Sequence, residues 1–183
     1  MTYRLGDIGP GGGLVFLISG GRTYEMAPKA WGPAAAVDPT GVWRNNSLSD
    51  VTDAVDTAVG TVAANTTAMI AACTSGASRL ASGYDGGGLT DWFLPSKDEL
   101  NAMCQYSRNP TTPAAPAVAC GSTHDGTFSI GPFGFPFGFA DNNYRSSTQG
   151  GGLRNAWLQT FDGGYGGHVY KGDAWHIRPV RAF

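Results

Sequence analysis

The residues best suited to chemistry are few, and their spacing argues against it. The three histidines, His124, His168 and His176, lack metal-motif spacing, and an isolated histidine is more often a solvated or hydrogen-bonded side chain than a ligand. Ser146-Ser147-Thr148 could offer a nucleophile, yet no G-x-S-x-G elbow surrounds it and nothing in the chain places a base beside it. Short hydroxyl runs usually bond backbone groups instead. Asp85, Asp91, Asp98 and Glu99 cluster in sequence, but Glu99 follows Ser96 at the spacing of a capping box and Asp98 suits the positive end of a helix dipole. The glycines of residues 9–13 precede an apolar run instead of opening a helix, and no G-K-[ST] occurs, so no phosphate cradle is expected. The chain reads as a non-enzyme with no catalytic residue, no metal and no cofactor.

The elements around these residues are short. Residues 14–18 and 23–27, joined at Gly20-Gly21, form an expected hairpin; the first strand is apolar throughout, as if covered on both faces, and the alternating second one belongs nearer an edge. Residues 29–60 read mostly as loop, with one short helix possible within 48–59. Residues 63–81 are Ala-rich, with Ile70, Cys73, Ala77 and Leu80 at helical spacing, Gly76 as a weak point and Gly83 as a stop. The capping box at Ser96 predicts a second helix with Leu100, Met103 and Cys104 facing inward. In the C-terminal part, residues 156–161, 168–171 and 174–181 read as strands, with Pro179 placing the last at an edge or a bulge. Alternation sends Trp157 and Phe161 inward, Leu158 and Thr160 outward.

With 183 residues one core suffices, and 28 glycines with a charged fraction of 14% exclude a protein dominated by long helices. Twelve basic and fourteen acidic residues without a Lys/Arg cluster exclude nucleic acid as the expected partner. Residues 1–13 lack a signal-peptide pattern and residues 14–18 are too short to span a bilayer, so the expectation is cytoplasmic synthesis, no signal peptide and no membrane insertion. Of the three cysteines, Cys104 and Cys120 could close a loop; the alternative is three small apolar fillers. The rings of Phe133, Phe135, Phe137 and Phe139, set in a Gly/Pro frame, must be covered either by this domain or by another copy, which makes a homo-oligomer through that loop one option.

Taken in order, Gly6-Asp7-Ile8-Gly9-Pro10-Gly11-Gly12-Gly13, Ala64-Asn65-Thr66, Asp91-Trp92-Phe93-Leu94-Pro95-Ser96-Lys97-Asp98-Glu99-Leu100, Ser146-Ser147-Thr148, Ala156-Trp157 and Arg178-Pro179-Val180-Arg181-Ala182-Phe183 resemble one family. It is the bacterial and phage family of C-type-lectin-like domains that includes variable proteins of diversity-generating retroelements. The resemblance implies an α+β, C-type-lectin-like fold over residues 1–183, with two helices on small antiparallel sheets, much irregular loop, and a variable recognition region at about 141–177. The implied function is a ligand- or receptor-binding module meeting a protein or cell-surface receptor, with a virion as one destination. A structural virion or cell-surface component assembling through the Phe-rich loop is the alternative. The formylglycine-generating enzymes resemble the same broad fold, but they need paired cysteines in the C-terminal region, and here none follows Cys120.

Two departures matter. Arg145 stands where the family usually has tryptophan, and the E-P-N and W-N-D signatures of calcium-dependent sugar binding do not occur. The expected ligand-facing set is Arg145, Arg154, Leu158, Thr160, Tyr165, His168, Tyr170, Asp173, Trp175 and His176, with Trp175 the member that could equally be core. Trp157, Phe161, Ile177 and Val180 are expected inside, and Arg178 and Arg181 are expected to serve the frame.

Overall fold

The computed structural model describes residues 2–29, 31–32, 37–46, 48–115, 117–121 and 138–183. These residues form an α+β arrangement of two sheets and three α-helices. The first sheet holds β1 (Leu14–Ser19), β2 (Arg22–Met26) and β8 (Val180–Ala182) in the order β1-β2-β8. The second holds β3 (Thr40–Gly41), β4 (Asn143–Gln149), β5 (Asn155–Thr160), β6 (Gly166–Tyr170) and β7 (Trp175–His176) in the order β3-β7-β4-β5-β6. Its β4–β7 pair is parallel and its other pairs are antiparallel, so the sheets are not purely antiparallel as expected.

The hairpin β1–β2 stands where the sequence predicts it, but β2 is the central strand of its sheet and β1 an edge. The alternation that suggested an edge comes from Glu25, which is buried. Its carboxylate accepts hydrogen bonds from Gly11 N (3.0 Å) and Gly13 N (3.0 Å) and pairs with Arg181 Nη1 at 2.9 Å. A charged residue can occupy a central strand when every lone pair is used this way. The glycine-rich turn is therefore a carboxylate cradle for the protein's own side chain. A Cβ at Gly11 would lie 2.8 Å from Glu25 Oε1 and 2.4 Å from the Trp92 ring.

The Ala-rich segment is two helices, α1 (Val62–Ala72) and α2 (Ala77–Ser82), not one. Gly76, with φ +123° and ψ −172°, takes a conformation closed to other residues and breaks the helix beside the Trp43 and Arg44 backbone. Cys73 and Ala77 are buried as expected, whereas Leu80 is exposed and Met69 and Ala81 take the inner positions. No helix forms within residues 48–59. α3 (Lys97–Arg108) has the predicted capping box: Ser96 Oγ accepts from Glu99 N, and Glu99 Oε2 accepts from Ser96 N. Glu99 Oε1 also accepts from Gly60 N at 3.0 Å. Leu100, Met103 and Cys104 are buried, and Cys104 is joined to Cys120 by a disulfide.

The expected last strand is split at Pro179 between the sheets, with β7 in one and β8 in the other. Between them Arg178 is buried in a node of named partners. Its Nε and Nη2 each donate to the Asp38 carboxylate at 2.6 Å, and Nη2 also donates to Gly138 O at 2.7 Å. Tyr144 Oη donates to Asp38 Oδ2 at 2.5 Å. The guanidinium lies 4.5 Å from the centroid of Phe139, whose ring stacks on Phe161. Phe139 is thus covered by its own core; Phe133, Phe135 and Phe137 lie outside the described residues. Arg181 pairs with both Glu25 and Asp91. Among the described residues no helix is long and apolar enough to cross a membrane.

Two expectations follow. Arg178→Met leaves the Asp38 carboxylate buried without its cation and should cost about 3–5 kcal/mol in urea denaturation; a loss under about 1 kcal/mol would contradict the node. Burial raises the Glu99 carboxyl from 4.5 to about 7 against the opposing hydrogen bonds from Gly60 and Ser96. Between those values the native state holds more protons than the unfolded chain, so this stabilising contribution is complete below the unfolded value and is lost as pH rises toward 7. Stability measured against pH should fall through that window, and Glu99→Gln should flatten the fall.

Candidate functional site

The register of β5 against β6 decides which side chains can act together. Trp157↔His168, Asn155↔Tyr170 and Gln159↔Gly166 are paired and share one face; Ala156↔Val169 and Leu158↔Gly167 share the other. The first face turns toward α3. There His168 meets the Trp157 ring edge-on at 3.9 Å between centroids, and Lys97 Nζ lies 5.0 Å from the same ring. Lys97 also pairs with Asp98 at 3.2 Å. Lys97 and Trp157 line a cavity of about 220 Å³ together with Asn101, Val118, Gln159 and Gly166 among others.

The outer wall of that cavity is a strap, residues 117–119, held across α3. Asn101 Nδ2 donates to Val118 O at 2.7 Å, and Gln105 exchanges hydrogen bonds with Ala115 N and O at 2.8 and 2.9 Å. The Cys104–Cys120 disulfide fixes its end. A second cavity of about 280 Å³, bounded by Gln105, Arg108, Thr112 and Cys120, shares Val118 and Ala119 with the first. Val118 itself is exposed.

The expected ligand-facing residues fall into separate groups. His168 and Tyr170 are exposed on β6, Tyr165 (65% exposed) sits in the turn before it, and Arg154 and Asp173 are exposed in flanking turns. Thr160 is half-buried, and its hydroxyl accepts from Tyr165 N at 2.9 Å to hold the β5–β6 turn. Trp175 and His176 are half-buried on β7, separated from β6 by β4 and β5; His176 Nδ1 lies 3.0 Å from Asp38 O. The structure therefore does not join those two to the β6 group.

Two members of the set are misplaced by the sequence reading. Leu158 is buried, at 4% exposure, and Arg145 is fully buried. Arg145 Nη2 donates to Tyr170 O (2.7 Å) and Asp173 O (2.5 Å), and burial lowers its pKa to about 10 while Asp173 opposes the shift. Conversely Trp157, expected inside, is half-buried at the cavity, and Lys97, Asn101 and Gln159 were not singled out at all. Alternation of β5 was legible, but which face met solvent was not, because Gln159 is buried on the same face as the half-open Trp157. Phe161, Ile177 and Val180 are buried as expected.

The hydroxyl triplet belongs to the frame. It lies where the β4–β5 register shifts, between Arg145 and Gln149. Ser146 Oγ donates to Trp157 O at 2.8 Å, Thr148 Oγ1 donates to Asp56 O at 2.8 Å, and Ser147 N donates to Pro95 O at 2.7 Å. Lys171 is buried too, with Nζ donating to Gln149 Oε1 (2.7 Å) and Leu153 O (2.8 Å) above the Trp43 ring. Among the described residues no group of three or more His, Cys, Asp or Glu is arranged to hold a metal ion. No protein-family model matches this sequence, and no curated protein matches it.

Denaturation of single variants separates the groups. Leu158→Ala should cost about 2–5 kcal/mol, whereas Tyr165→Ala and Tyr170→Ala should each change stability by less than about 0.5 kcal/mol. Equal losses in all three would mean that the faces of β5 and β6 are misassigned.

Proposed function

We propose that this chain is a recognition module of C-type-lectin-like fold, similar to the variable proteins of diversity-generating retroelements. In this reading the α3-facing side of β5–β6 and its flanking turns meet a protein or cell-surface receptor. The observation that carries the reading is the Trp157 ring, which lines a cavity with Lys97 and meets His168 edge-on, on the strand pair that also exposes Tyr165 and Tyr170. Half-exposed aromatic rings beside cations and amides are the composition of protein-binding hot spots, in which rings supply contact area and amides fix orientation.

Binding is favoured over catalysis by where the reactive side chains are committed. The hydroxyls of Ser146 and Thr148 donate to backbone carbonyls, and Glu99 caps α3. The exposed candidates Arg154, Tyr165, His168, Tyr170 and Asp173 lie in the C-terminal third, on β6 and in the adjoining turns. That distribution supports a recognition surface changed by substitution while the buried frame is kept. A phage or prokaryotic source, with a virion as one setting, follows from the resemblance alone.

Sequencing the DNA around the coding region tests the retroelement part. A reverse-transcriptase gene and a near-copy of the stretch coding for residues 141–177, differing mainly at adenines, is the expected finding. A locus without either, together with homologous copies that vary evenly along their length, would remove the basis for a diversified surface.

A further inference from the structure

The edges of the two sheets differ in how they are closed. β1 shifts register between Val15 and Leu17, β3 is two residues long, and β8 is bridged on its outer side by Phe93, which are usual ways of blunting an edge. β6 has none of these devices. Its five residues pair with β5 in unbroken register and include no proline, lysine, arginine or carboxylate. Thr160 N donates to Tyr165 O and Lys171 N donates to Arg154 O, which sets the phase of the ladder. Gly167 and Val169 therefore turn their backbone groups toward β5, and Gly166 and His168 turn theirs outward. The outward N–H and C=O groups of Gly166 and His168 meet no hydrogen-bond partner in the described protein, and both residues are exposed.

This edge runs beside the cavity of about 220 Å³, which Gly166 lines together with Trp157, Gln159 and Lys97. Residues directly opposite each other in an antiparallel pair carry their side chains on the same face. A residue added opposite Gly166 would thus face α3, and Gly166 has no side chain to stand in its way. A Cβ at Gly166 would lie 3.8 Å from both Gln159 Oε1 and Trp157 Cζ3, so these two groups are next to the edge. The His168 ring leans back across β5, against Trp157 and toward Gly150, where an added Cβ would lie 3.1 Å from its Cδ2. What the cavity can take follows from its lining. Trp157 offers an aromatic surface, and Gln159 donates through Nε2 to Thr160 O at 3.3 Å while its Oε1 accepts nothing in the described protein. Lys97 is already paired with Asp98, so the lining does not call for an acid. The volume is below the roughly 300–1,000 Å³ of small-molecule sites, which suits a single side chain. A ring carrying one hydrogen-bond donor matches these features, and tyrosine is that side chain.

We propose that the outer edge of β6 takes up an extended segment of a partner protein as an antiparallel sixth strand of the larger sheet. A tyrosine of that segment sits opposite Gly166, with its ring against Trp157 and its hydroxyl donating to Gln159 Oε1. Main-chain hydrogen bonds to Gly166 and His168 hold the segment whatever its sequence, and the cavity selects the residue at one position. This rests on the recognition reading and names the form of the partner. The two fail separately, because a β6 edge that takes no strand leaves recognition by the turns around Tyr165 and Asp173 standing.

The test titrates the peptide acetyl-Thr-Thr-Tyr-Thr-Thr-amide into the full chain labelled with nitrogen-15, followed by NMR at the backbone amides of Gly166 and His168 and at the Trp157 indole N–H. Saturable shifts at all three are expected. Glycine in place of the peptide's tyrosine should weaken binding about tenfold or more, as loss of an anchoring aromatic side chain implies. Methylating the tyrosine nitrogen removes the donor to Gly166 O and should have an effect of similar size, since it leaves that carbonyl unpaired. Gly166→Val adds a side chain at ordinary contact distance from its neighbours and should bring the tyrosine peptide down to the affinity of the glycine peptide. If that variant does not fold, the three peptides decide. The proposal is overturned if no saturable shift appears at Gly166 and His168, or if the three peptides bind alike. It is also overturned if the chain alone sediments as a dimer whose dissociation shifts these two amides, because the edge would then be held by a second copy.

Discussion

The buried contact of Arg178 with Asp38 is the constraint on which the arrangement of both sheets depends. A carboxylate and a guanidinium are both removed from water, and neither is tolerable there without the other. Asp38 lies just ahead of β3, while Arg178 lies in the link that carries the chain from β7 to β8. Tyr144 from β4 and the carbonyls of Ala27 and Gly138 complete the set. One ion pair therefore fixes where the chain leaves the larger sheet and enters the smaller. Its cost of desolvation is met only when all these elements are in place together.

The consequences reach the surface. The Arg178 guanidinium covers Phe139, and Phe139 packs with Tyr144 and Phe161, which sets the end of β5. From there the pairing of β5 with β6 brings Trp157 against His168 and leaves the outer side of β6 open. Two further buried charges do comparable work elsewhere. Glu25 gathers the glycine-rich turn and β8 onto β2, and Lys171 holds the β4–β5 connection through Leu153 and Gln149. Because such groups are used up internally, substitutions on exposed turns can alter the surface without disturbing them. Arg145 differs from these in making no ion pair: its guanidinium donates to the carbonyls of Tyr170 and Asp173 while the Asp173 charge acts on it.

Much of the frame was legible because its signals are local. The capping box of Ser96 and Glu99 gives the start of α3, and Gly20-Gly21 between apolar runs gives the β1–β2 hairpin. What escaped was set by distant partners. Nothing near Glu25 announces that Arg181, far along the chain, will neutralise it, so β2 reads as an edge strand when it is central. Gly76 reads as a weak point in a helix, but its positive φ and the adjacent Trp43 and Arg44 backbone make it a break. In the candidate site the alternation of β5 was visible, while the choice of outer face depended on α3 and the disulfide-held strap, neither of which is encoded in residues 155–160. Arg145 looked like a surface residue because arginine rarely enters a core, and only the fold reveals that this strand position is covered.

The claim that a changeable surface rides on a closed frame is tested most directly by a displayed library randomised at Arg154, Tyr165, His168, Tyr170 and Asp173. Its members are sorted once for protease resistance and separately for binding to several unrelated proteins. The expected result is that most members remain resistant and that different members acquire different partners. Loss of protease resistance in most members, or resistance retained with no partner gained by any member, would contradict it.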